Sequence, residues 1–75
     1  MPNVEMLLQV IEEYCTRTGQ PRTCLAAGMG MSMPTFYSRI NGESDWRVSE
    51  SLAFAAITGI SREKWFAIFF NPDVN

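Results

Sequence analysis

Apolar residues recur near the start of the chain at Val4, Leu7, Leu8, Ile11, Tyr14 and Cys15, a spacing that gathers them on one face of an α-helix. Asn3 is suited to cap that helix and Gly19 to end it. Met6 and Val10 fall beside the stripe and widen it, so part of the face is expected to be open to a partner. Gln20-Pro21 opens a second, short helix, because proline suits the first helical position, where its missing N–H needs no acceptor. Leu25 and Met29 form its apolar pair, Ala26 is small enough for another helix to approach, and Gly28 and Gly30 force a turn.

Ser32 is placed to cap a third helix with Met33 and Pro34 in its first turn, Phe36 and Ile40 facing the core, and Asn41-Gly42 closing it after about nine residues. A polar loop, Glu43 to Val48, carries Trp46, whose ring is expected to pack on the core. In the fourth helix the pattern predicts a cap at Ser49, a buried stripe of Leu52, Ala53, Ala56 and Ile57, and an end at Gly59. Ser61 caps a fifth with Trp65, Ile68 and Phe69 on one side and Phe66 and Phe70 beside them, stopped by Asn71-Pro72. Strand periodicity and internal repeats are absent from the sequence, so the fold class is all-α with five short helices.

Composition narrows the possibilities. With 75 residues, 47% apolar and 19% charged, the chain reads as one globular domain over residues 1–75. Its apolar runs fall far short of the roughly 20 residues that span a bilayer, so membrane insertion is not expected. Glu5, Glu12 and Glu13 occupy the region where a secretory leader needs a basic start and an apolar centre, so the expected location is the cytoplasm. Cys15 and Cys24, without any histidine, fit neither zinc-ligand spacings nor a CxxC redox pair, and are expected to be reduced core thiols, with a disulfide between neighbouring helices the alternative. Neither a metal nor another cofactor is implied. The missing histidine also removes the commonest general base near neutral pH, so an enzyme is not expected.

The segment that carries function is RTCLAAGMGMSMPTFYSRING, Arg22 to Gly42, within a motif spanning residues 21–42. A helix-turn-helix needs a small residue where its helices cross, a glycine at the tight turn, and apolar residues that clamp both helices. Ala26, Gly30 and the set Leu25, Met29, Met31 and Phe36 fill those roles. From about Gly19 to Phe70 the chain resembles the Cro- and lambda-repressor-like helix-turn-helix family of phage and mobile-element regulators. The local likeness lies in Ser32, Thr35, Phe36, Tyr37, Asn41, Gly42 and Trp46, and in the closing segment GISREKWFAIFF. This resemblance implies a sequence-specific, DNA-binding transcriptional regulator that places its third helix in the major groove and works as a dimer on paired half-sites.

Carried onto this chain, the resemblance turns Ser32, Met33, Pro34, Tyr37, Ser38 and Asn41 toward double-stranded DNA, with Thr35 in the same motif. Met33 and Pro34 offer apolar contact only, so hydrogen-bonded readout of bases falls to Tyr37, Ser38 and Asn41. Arg22, where the family commonly has glutamine, suits a phosphate, and Arg39 and Arg47 are the further candidate phosphate contacts. Charge is distributed accordingly. Residues 1–16 carry a net −3, residues 17–47 a net +2 and residues 48–75 a net −1, so the motif is the basic stretch of an acidic chain.

Trp65, Phe66, Phe69 and Phe70 are more aromatic surface than a terminal helix of so small a domain is expected to bury alone, and a homodimer through this helix, aided by the first, is predicted; the alternative is that these rings close the subunit's own core. The alternative function is a helix-turn-helix scaffold that binds another regulatory protein, such as a repressor, through Met33, Pro34 and Tyr37 without binding DNA.

Overall fold

The computed structural model describes residues 2–70. Among them the chain forms five helices and no strand: α1 (Val4–Thr18), α2 (Arg22–Gly28), α3 (Met33–Ile40), α4 (Val48–Thr58) and α5 (Arg62–Phe69). The local signals place most of the ends. Asn3 Oδ1 accepts the Met6 N–H, Ser32 Oγ the Thr35 N–H and Ser61 Oγ the Lys64 N–H, so α1, α3 and α5 each start on a side-chain cap. The Asn71-Pro72 stop lies outside the described residues.

Every helix contributes to one core: Leu7, Val10 and Ile11 from α1, Leu25 and Ala26 from α2, Phe36 and Ile40 from α3, Phe54 from α4 and Ile68 from α5. α1 packs against α3, α4 and α5, while α2 and α4 touch where an added Cβ on Gly28 would stand 3.1 Å from Ile57 Cδ1. The broad face of α1 is therefore used inside the subunit, since Val10 is buried and Met6 packs on the core.

Three contacts from outside the helices they close satisfy helix ends whose last carbonyls have no partner within the helix. Arg17 of α1 donates to Thr58 O at 3.0 Å, the Trp46 indole to Arg39 O at 2.9 Å, and the Asn3 N–H to Ile68 O at 2.7 Å. These bonds tie α4 to α1, the loop to α3, and the start of the chain to the end of α5.

α4 departs from the expected phase. Its buried residues are Ser51, Phe54 and Thr58, whereas Leu52 and Ala56 are exposed and Ala53 and Ile57 half-buried. Phe54 fixes the rotation, for its ring lies edge-on between Trp46 (centroids 5.6 Å apart) and Phe69 (6.0 Å). Ser51 and Thr58, one turn to either side, are carried inward with it. Their hydroxyls bond Val48 O and Phe54 O, each at 2.7 Å, so burial leaves no unpaired polar group. The helix also begins earlier than expected, with Arg47 at the cap position and its N–H bonded to the Glu50 carboxylate at 2.9 Å.

Two smaller expectations change as well. Pro21 sits in extended backbone just ahead of α2 rather than within it. Of the two free thiols, Cys15 is half-buried against the core but Cys24 is exposed, because it precedes the inward-facing Leu25 and Ala26 on a helix that buries little else.

Candidate nucleic-acid interface

α2 and α3 are joined by a corner in which Gly30 adopts φ +72°, a left-handed conformation that side-chain-bearing residues avoid. The Gly30 N–H bonds Ala27 O at 3.0 Å and the Met31 N–H bonds Ala26 O at 2.9 Å, the paired closure of a helix end by a left-handed glycine. Met31 then packs on the core and the chain reverses into Ser32. Ser32 Oγ accepts the Thr35 N–H at 3.4 Å and donates to Thr35 Oγ1 at 3.1 Å, so both hydroxyls serve the start of α3.

From that start α3 divides cleanly. Met33, Phe36 and Ile40 face the core, while Pro34, Tyr37 and Asn41 are exposed at positions i, i+3 and i+7, one continuous outer stripe. Tyr37 stands edge-on to Phe36 at 5.9 Å, and the Arg22 guanidinium, from the first turn of α2, lies 6.0 Å from its ring centroid. The corner thus brings a cation and a phenol together on the outer surface. Met33, expected at the surface, is half-buried and packs inward.

The remaining candidates are placed differently. Ser38 is half-buried and shares a 2.9 Å hydrogen bond with Ser44. Arg39 turns away from the stripe toward α4: Nε and Nη2 grip the Glu50 carboxylate at 2.9 and 3.2 Å, and Nη1 donates to Ser44 at 2.7 Å. The hydrogen bond with Glu50 raises the Arg39 pKa. In turn Arg39, with the Arg47 N–H behind it, holds the Glu50 carboxyl below the usual carboxylate range against the opposing effect of burial. Arg39 is thus a clamp between α3 and α4, and its charge is matched within the subunit. Arg47 is exposed at the edge of the loop, near Asp45.

Ser44 and Glu50, the partners of Arg39, were not among the candidates. Neither carried a usable sequence signal: Glu50 stands three positions after the cap only once the structure places that cap at Arg47 rather than Ser49. Of the four aromatics expected at a dimer interface, Phe69 packs against Trp46 at 4.8 Å, and the Trp65 indole donates to Ser51 Oγ at 3.1 Å. Phe66 and Phe70 remain exposed.

Among the described residues no group of three or more metal-capable side chains comes together, and no helix is long and apolar enough to cross a membrane. Comparison with protein-family models, with curated proteins and with solved structures found no match to the chain.

Proposed function

We propose that the protein is a sequence-specific, DNA-binding transcriptional regulator that lays α3 in the major groove. The observation that carries this is the outer stripe of Pro34, Tyr37 and Asn41 on a short, capped helix, held outward by a glycine corner with Arg22 beside it. A helix of this size fits a groove about 12 Å wide, Tyr37 and Asn41 can bond base edges, and Pro34 can meet a thymine methyl. Arg22 and Arg47 contact phosphates, and Arg39 positions α3 from behind. Paired half-sites call for two subunits.

A protein partner in place of DNA is the weaker alternative. Its contact surface was to be Met33, Pro34 and Tyr37, and Met33 packs on the core instead.

The test is duplex binding across salt concentrations, using operator candidates selected from random sequence. Two phosphate contacts per subunit give a dimer a slope of about −3.6 in log K against log salt, roughly a 150-fold loss of affinity between 50 and 200 mM. Arg22→Ala should flatten the slope by about 0.9 per subunit. Arg39→Ala should weaken binding without flattening it. If no duplex is selected even at low salt, DNA binding is refuted.

A further inference from the structure

We infer that Tyr37 is a positioning residue, whose ring holds the Arg22 guanidinium at the corner with its N–H donors left free for a phosphate of the DNA backbone. The inference rests on the DNA-binding reading for its purpose, and adds to it the group that sets the geometry of the phosphate contact.

The pair spans the corner. Arg22 belongs to the first turn of α2 and Tyr37 to the middle of α3, and the guanidinium carbon lies over the ring, 6.0 Å from its centroid. The ring is itself fixed from behind, standing edge-on to Phe36, which is wholly buried. Each residue thus holds the next, from the core outward: Phe36, Tyr37, Arg22. Tyr37 stays 39% exposed and Arg22 half-buried, so neither is sealed from solvent.

A ring attracts a cation through its π face and accepts none of its N–H groups in doing so. A carboxylate or carbonyl partner does occupy them. Arg39 commits three donors to Glu50 and Ser44, and Arg17, although it lies over the Tyr14 ring, commits one to Thr58 O. Among the described residues the Arg22 side chain forms no hydrogen bond and no ion pair, so its charge and its planar fork of donors are unmatched inside the subunit. That fork fits a phosphate. Its place is not explained by helix stability, because a cation in the first turn of α2, where no acidic residue stands, opposes the helix dipole. Restricting a long, flexible arginine before DNA arrives lowers the ordering cost of the contact.

Two measurements test the inference. In NMR of the full chain without DNA, the Arg22 side-chain protons should be shifted upfield by the Tyr37 ring; Tyr37→Phe should keep that shift and Tyr37→Leu should abolish it. Protons unshifted in the parent chain, or placed alike in the two variants, overturn the pairing without reference to DNA. On a duplex selected from random sequence, Tyr37→Phe loses the phenol but keeps the ring, so Tyr37→Leu should bind about two- to fivefold more weakly than Tyr37→Phe. In an Arg22→Ala background that gap should close. A ring that merely packs, or that touches a base itself, would leave the gap open and overturn the positioning role while DNA binding stands. Failure to select any duplex refutes the DNA-binding proposal, and the positioning role with it.

Discussion

Gly30 is the hinge on which the presentation of α3 depends, and its replacement has a cost that follows directly from the backbone. At φ +72° an alanine must adopt the left-handed conformation, which costs roughly 1–2 kcal/mol for a residue with a Cβ. Sterics add nothing, since a Cβ built at Gly30 meets no other atom within 4 Å. Alanine also restricts the unfolded chain, which returns about 0.4–1 kcal/mol. The expected net loss for Gly30→Ala is therefore about 1 kcal/mol, measured by urea unfolding, or a fall in Tm of about 4–8 °C for a domain of this size. Gly30→Asn should lose less, because asparagine tolerates the left-handed region. Gly28→Ala provides the contrast, for its backbone is helical and its methyl meets only the flexible end of Ile57, so a change within about 1 kcal/mol of either sign is expected. If Gly30→Ala is as stable as the parent, or Gly30→Asn is as costly as alanine, the backbone account of the corner is wrong.

Two further outcomes test the packing and the clamp. Phe54→Ala should cost about 3–5 kcal/mol in urea unfolding, whereas Leu52→Ala, studied where the chain is monomeric, should stay within about 0.5 kcal/mol; equal effects would mean that α4 is rotated from the phase described. Glu50 is held below its ordinary range in the folded chain, so it contributes stability above its unfolded pKa of about 4.3 that is lost as pH falls through the lower folded value. Thermal unfolding between pH 6 and 2 should therefore show a smaller acid loss in Glu50→Gln, and an unchanged profile would refute the clamp's role in stability.

How much of this was legible in the sequence varies with the range of each interaction. Asn3, Ser32 and Ser61 cap helices by bonding an N–H three residues away, and Gly30 turns the chain through its own dihedral angle, so these features could be read residue by residue. The core pair of α3, Phe36 and Ile40, was equally plain from its spacing, whereas Met33, expected at the surface, is turned inward by packing. α4 was misread because apolar residues surround it, leaving periodicity little contrast, while Ser51 and Thr58 look like surface residues until their hydroxyls find helix carbonyls. Arg39 was a plausible phosphate contact from its position alone, and only the placement of Ser44 and Glu50 around it reveals the clamp.

By itself, then, the amino-acid order determined the five helices, the caps of α1, α3 and α5 and the corner between α2 and α3, all of which depend on neighbours within about one helical turn. Tertiary packing alone decided which side of α4 turns inward, which arginine remains open to a partner, and how Arg17, Trp46 and Asn3 close the ends of α4, α3 and α5. The reason is physical. A side chain's burial and charge pairing are properties of the space it enters, and that space is made by residues beyond its own helical turn, whose arrival no local pattern records.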